Sequence, residues 1–274
     1  LSAAGAALCN GYQIHNGEFD CVHERAVIHT MTVLTASLLA YAERERPVDG
    51  RTLLAALVLG VDVACHLGVA SRAPLRFFRP ATAGAFAATA GLGKLMAMGE
   101  DTLVNAFGAV HSQLCGTMQA HTEGSIVLGL QIGYNARNAI VACDMADRGL
   151  VAPHDVLEGP FGYFPLFEGE YALEDVLPEL GRIWRITEVA HKPYPSGRAT
   201  HGVIDAALSL QAEHGFSWQS VEHIEAAVPP LVHHLVGRPS RGDMELNYAR
   251  LCAQYALARA LREGGLGVSD FSPE

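Results

Sequence analysis

Residues 49–72 read "DGRTLLAALVLGVDVACHLGVASR". Asp49 stands at the N-cap of an apolar run with helical spacing, and Pro74 closes the run. The stretch is rich in Ala and Leu and poor in charge, so it predicts a helix inside a helical core. On its N-terminal side, "AVIHTMTVLTASLLAYAERER" (26–46) repeats the pattern and closes on charges before "PVDG" breaks it. On its C-terminal side, "TAGAFAATAGLGKLMAMG" (82–99) follows Pro80 with small residues on several faces, which lets neighbouring helices approach closely. "EDTLVNAFGAVHSQLCG" (100–116) and "GLQIGYNARNAIVACDMADRG" (129–149) read as further helices, the second stopped by Gly149.

The character changes after Gly149. "EGPFGYFPLFEGE" (158–170) is aromatic and turn-rich, "HKPYPSGR" (191–198) is a stiff loop, and "ATHGVIDAALSLQAEHG" (199–215) is a helix. "VEHIEAAVP" (221–229) alternates as a strand before "NYARLCAQYALARALREGG" (247–265) returns to an amphipathic helix. The expectation is a mainly α protein: a large all-helical domain over 1–185, part of a smaller α+β domain over 186–245, and a C-terminal helical segment, 246–274, packed on the helical domain.

A chain of 274 residues, half hydrophobic and 18% charged, suits extensive buried helix contact. Its net charge of −10, with no run of Lys or Arg, disfavours nucleic acid and anionic membranes as partners. A small anionic substrate stays open, because a few converging cations outweigh a distant acidic surface. Six cysteines without a CxxC pair read as reduced thiols of a cytoplasmic protein. No signal-peptide pattern and no uninterrupted apolar span is seen. A start at Leu1 and an end at "SDFSPE" lead to the expectation that the chain represents part of a longer one.

Chemistry-bearing residues crowd "EFDCVHERAVIHTM" (18–31) and the segment before it: His15, Glu18, Asp20, His23 and His29. They read equally as acids and bases or as the solvated entry of a helix with an internal histidine. No ligand spacing such as HExxH appears, so no metal is expected. "HKPYPSGRATH" (191–201) carries Lys192 and Arg198 on a proline-stiffened loop, with Ser196 and Gly197 just before a helix whose N-terminal amides attract anions. That is a carboxylate or phosphate clamp by composition. "RFFRPATAG" (76–84) repeats the idea with Arg76 and Arg79, and "MQAHTEGS" (118–125) offers Gln119, His121 and Glu123 on a loop between helices. Phosphate-loop, GxGxxG and GxSxG signatures are missing.

Taken in order, "AALCNGYQIHNGEFDCVHE…IHTMTVLTASLLAYAE", "DGRTLLAALVLGVDV", "RFFRPATAGAFAATAGLGKL" and "KPYPSGRATHGVIDAAL" resemble the MmgE/PrpD family. The resemblance implies a homodimer of two-domain, mostly helical subunits acting on small di- or tricarboxylates without metal or other cofactor. Known members include 2-methylcitrate dehydratase, cis-aconitate decarboxylase and iminodisuccinate epimerase. It implies that Glu18 takes the place of an active-site aspartate, with Val22 replacing a threonine of the same motif. It likewise matches His29 to a His-Pro histidine and Lys192 to the lysine opening a Lys-Pro-x-Pro loop. Phe78 and Gly197 stand where the decarboxylase branch has histidines, and the loop near Gly124 lacks that branch's lysine, which ranks decarboxylation last of the three.

The expected reaction is dehydration of a 2-methylcitrate-like hydroxy acid by proton abstraction beside a carboxylate. His29, Lys192, Glu18 and His23 are its catalytic candidates; Arg198, Arg79, Ser196, Gln119 and His121 are its substrate-binding candidates. Epimerisation of an imino- or amino-dicarboxylate, and a carboxylate-binding homologue without activity, are the alternatives.

Overall fold

A computed structural model describes residues 1–45 and 47–272. The chain divides into two compact units: the first holds 1–15, 20–118 and 127–191, the second 16–19, 119–126 and 192–274. In chain order the helices are α1 (Ala3–Asn16), α2 (Thr32–Arg44), α3 (Gly50–Ala70), α4 (Arg79–Leu95), α5 (Glu100–His111), α6 (Gln119–Glu123), α7 (Val127–Asp147), α8 (His201–His214), α9 (Pro230–Val236), α10 (Leu246–Arg250) and α11 (Ala253–Glu263). The mainly α expectation holds.

In the first unit α4 is the central helix, in contact with α2, α3, α5 and α7, and every residue from Arg79 to Gly93 is buried. Its small side chains make this approach feasible. A Cβ added at Gly60 of α3 would lie 2.9 Å from the Ala87 carbonyl oxygen of α4, and one at Gly84 would lie 2.8 Å from Val33 of α2. Asp49 caps α3 as its position predicts, Oδ2 accepting from the Thr52 amide at 2.9 Å. By length and hydropathy α3 could cross a bilayer, but it turns Asp62, His66 and most of its apolar surface into the protein, as a core helix does.

Helix α2 begins at Thr32, six residues later than its hydrophobic pattern predicts. Residues 23–28 close a tight turn instead, with paired backbone bonds between His23 and Ile28 (2.9 and 3.3 Å) and Val27 at φ 52°. His29 is therefore set on irregular chain ahead of the helix. Arg46, the expected last residue of that helix, lies outside the described residues. The segment 119–123, read as loop, is the short helix α6.

In the second unit α8 packs against α11, and Ile204, Ala249, Ala256, Ala260, Leu266 and Phe271 form its core. The helix expected from 247 breaks after Arg250, whose carbonyl accepts the Gly197 amide at 2.9 Å. Gly215 and Gly264, at φ 64° and 75°, end α8 and α11 as left-handed stops. The strand expected at 221–229 is not formed. A strand needs a neighbour for its N–H and C=O groups, and no ladder partner is present among the described residues.

A buried charge cluster ties the first unit together. The Arg79 guanidinium donates to Glu168 through Nε (3.0 Å) and Nη2 (2.7 Å), and to the Ala26 carbonyl through Nη1 (2.9 Å). Tyr163 donates its hydroxyl to the same carboxylate at 2.6 Å, and burial beside that charge holds its pKa well above the ordinary tyrosine value. Arg79, expected to bind substrate, is thus committed to internal partners. Because removing one partner strands a buried charge, Glu168→Ala is expected to cost about 3–5 kcal/mol in urea unfolding. The paired replacement Arg79→Met with Glu168→Leu is expected to cost distinctly less.

Candidate functional site

In the first unit the chemistry gathers on one carboxylate. His15, in the last turn of α1, lies with Nδ1 2.8 Å from Asp20 Oδ2, and His29 Nδ1 lies 3.1 Å from the same oxygen. His29 Nδ1 also lies 3.1 Å from the Cys21 carbonyl, which can only accept. His29 Nδ1 therefore carries a proton, and the tautomer this selects has its lone pair on Nε2. The two rings meet edge to face at 4.9 Å, and Phe78 packs on His15 at 5.5 Å. His29 is the more open of the two, 15% exposed against 2% for His15.

His15, Asp20 and His29 present ligand-type atoms within 4.8 Å of one another, a grouping that the linear spacing did not reveal. His15 Nδ1 hydrogen-bonds Asp20, and His29 Nδ1 stands at ion-pair distance from the same oxygen, so the carboxylate faces both imidazoles. That arrangement suits proton transfer, with Asp20 as the orienting group.

His23 has a different task. Its Nδ1 accepts the Ala26 amide at 3.0 Å, so Nε2 carries the proton and donates to Glu188 at 2.7 Å. Both ring nitrogens of His23, expected as an acid–base partner, are occupied in bracing the 23–28 turn. Glu188 also accepts from the buried Arg185 at 3.0 Å. The His23 bond, followed by Arg185, holds the Glu188 carboxyl below its ordinary range.

In the second unit the Lys192 ammonium, its side chain fully buried, donates to Glu18 Oε2 at 2.9 Å and to the Glu18 carbonyl at 3.2 Å. The resemblance-based candidates Glu18 and Lys192 are thus brought together. Glu18 sits at φ 49°, a left-handed conformation that costs a non-glycine residue about 1–3 kcal/mol unless its surroundings enforce it. The Lys192 contacts to both its carboxylate and its carbonyl do so.

The remaining second-unit candidates lie on the 191–198 loop and on α6. The Ser196 hydroxyl, buried, bonds Thr200 Oγ1 at 2.8 Å, and Thr200 donates on to the Gly197 carbonyl at 2.9 Å, so Ser196 shapes the loop. Arg198 opens the short turn Arg198–Thr200 that leads into α8. Gln119 is exposed and bonds Glu123 one turn along α6. His121 is buried, and its carbonyl accepts from Arg238 Nη2 at 2.8 Å.

Arg238 is a residue the sequence reading missed. Its guanidinium stacks over Tyr248 at 5.0 Å, and its buried Nη1 has no hydrogen-bond partner among the described residues. Burial lowers its pKa while Glu18 is among the charges that favour the cation. The signal was available in "GRPSR" (237–241), two arginines in a Gly/Pro loop, the same signature that marked 191–198.

The profile of the MmgE/PrpD N-terminal domain matches residues 1–175, and that of the MmgE/PrpD C-terminal domain matches residues 194–274. The chain belongs to the MmgE/PrpD family. Cis-aconitate decarboxylase of Aspergillus terreus is 28% identical over 229 residues, which cover 78% of this chain and 46% of that protein. Human cis-aconitate decarboxylase is 29% identical over 282 residues, 97% of this chain and 56% of that protein. The cis-aconitate decarboxylase-like protein oryM of Aspergillus oryzae is 28% identical over 291 aligned positions, 98% and 60% respectively. The chain spans about half the length of these curated relatives.

In this MmgE/PrpD chain the acid response of the 23–28 turn can be measured directly. A carboxyl whose folded pKa is depressed contributes stability above its unfolded pKa and loses it as pH falls through the folded value. Between about pH 6 and about pH 3, wild type is therefore expected to lose more unfolding stability than Glu188→Gln. Parallel urea titrations at the two pH values check this; identical losses would remove Glu188 from the acid response.

Proposed function

We propose that this MmgE/PrpD chain carries the carboxylate-holding and proton-transfer residues of a lyase acting on a small polycarboxylate, and that it dehydrates a hydroxy acid. The observation that carries the reading is the buried Lys192–Glu18 pair, with the Arg238 guanidinium nearby in the same unit under the influence of the Glu18 charge. A proton on carbon beside a carboxylate leaves only if fixed cations hold the charge that develops on the carboxylate oxygens. Lys192, Arg238 and Arg198 are the proposed holders.

The proposed base is His29, with Asp20 as its positioning residue. The Nδ1 proton is donated to the Cys21 carbonyl, with the Asp20 carboxylate 3.1 Å from the same nitrogen, which leaves the Nε2 lone pair to take the substrate proton. As that C–H bond breaks, the electron pair forms the new carbon–carbon double bond. The C–O bond breaks with it, and the departing hydroxide leaves as water with the proton that His29 Nε2 had taken up, which restores the base.

A second reading, decarboxylation, is favoured by the names of the relatives. Two features of this chain weigh against it. Phe78 packs against His15 where the decarboxylase branch has histidine. At Gly197 a Cβ would lie 2.9 Å from Leu251 Cδ2, so a side chain there requires that leucine terminus to shift.

The test is a screen of hydroxylated and unsaturated polycarboxylates, followed by mass and by solvent-deuterium exchange. Loss of water supports the proposal, loss of carbon dioxide supports the second reading, and exchange without a change of composition would point to epimerisation. Binding without turnover would mark an inactive homologue. With a substrate in hand, His29→Ala is expected to lower kcat by about 10²–10⁴-fold. Lys192→Ala is expected to lower kcat/KM by at least about 10²-fold. Unchanged turnover in His29→Ala would overturn the assignment of the base.

A further inference from the structure

His201 opens α8 and is 1% exposed, yet neither the sequence reading nor the roles assigned above use it. Its ring is tightly specified. Nε2 lies 3.3 Å from the Ser196 carbonyl, which can only accept, so Nε2 carries the proton. Tyr194 stands edge-on to the ring at 5.3 Å and is itself anchored by its hydroxyl donating to Asp205 at 2.7 Å. The other nitrogen, Nδ1, is buried without a hydrogen-bond partner among the described residues. A buried polar atom left in that state is uncommon in a folded protein and calls for a partner.

The surroundings limit what that partner can be. Burial, and then the charges of Arg198 and Lys192, depress the His201 pKa to about 4, so the ring is neutral at ordinary pH and Nδ1 presents a lone pair. The same two cations attract a carboxylate. An ionised carboxylate has no proton to donate to Nδ1, whereas a hydroxyl on the adjoining carbon does. A neutral acceptor beside two cations is the recognition pattern of a hydroxy acid.

We propose that His201 is a further substrate-binding residue, its Nδ1 accepting a hydrogen bond from the hydroxyl of a hydroxy-polycarboxylate. This rests on the polycarboxylate reading above and deepens it by naming the feature that selects the substrate.

Citrate and tricarballylate separate the two ideas, since they share three carboxylates and differ by one hydroxyl. Titration calorimetry on the full chain is expected to show citrate bound roughly tenfold more tightly. His201→Gln keeps a donor for the Ser196 carbonyl and loses the acceptor. It is expected to bring citrate down to the tricarballylate level, with tricarballylate binding unchanged. His201→Asn sets an amide oxygen near the Nδ1 position and is expected to retain most of the preference, the reverse of what a purely structural bond to Ser196 would produce. Equal binding of the two acids by wild type, or a preference that survives in His201→Gln, would overturn this inference and leave the polycarboxylate reading intact. Binding of neither acid would overturn both. If His201→Gln fails to fold, the wild-type ratio and His201→Asn still decide.

Discussion

A charge taken out of water must find an opposite charge or a set of dipoles, and this requirement organises the chain. Arg79 meets Glu168, Lys192 meets Glu18, and Arg185 meets Glu188, each pairing a buried or nearly buried cation with a carboxylate. The pairs do different work. Arg79 is committed inside the protein: Nε and Nη2 donate to the Glu168 carboxylate, Nη1 donates to a backbone carbonyl, and Tyr163 completes the cluster. Such a group holds segments of the first unit together. Lys192 enforces an unfavourable backbone angle at Glu18, a local cost of the sort that persists at functional sites because the surroundings impose it.

Histidine chemistry here is settled by neighbours that can only accept or only donate. The Cys21 carbonyl assigns the His29 proton to Nδ1, the Ala26 amide assigns the His23 proton to Nε2, and the Ser196 carbonyl assigns the His201 proton to Nε2. Three similar side chains thereby acquire three distinct capacities. His23 has both nitrogens engaged and serves as a brace. His29 presents Nε2 from irregular chain, and His201 presents Nδ1 at the start of a helix. Composition counts thirteen histidines and cannot distinguish them.

The chain belongs to the MmgE/PrpD family, and Phe78 and Gly197 are the positions at which its sequence was expected to depart from the decarboxylase branch. Each departure has a local physical reason. Phe78 is buried against the His15 ring, and Gly197 lets the 191–198 loop close on Leu251 while its amide reaches the Arg250 carbonyl. A larger side chain at 197 would have to displace that contact.

The sequence by itself determined the helical class, the capped start of α3, the close-packed character of α4 and the glycine stops after α8 and α11. All of these are read from neighbours within a few residues: a cap reaches three residues on, a helical face repeats every three or four, and a left-handed stop needs only the residue itself. Glu18, His29 and Lys192 were named as candidates only through likeness to a family. The partners of the polar residues were decided by the tertiary structure alone. Arg79 finds Glu168 across 89 positions, His23 finds Glu188 across 165, and Arg238 finds His121 across 117. The alternation at 221–229 predicted a strand, but alternation describes one segment, whereas a strand is a relation between two. Separations of that length are closed by the path of the whole chain, and no local pattern encodes which donor will meet which acceptor when charges are buried together.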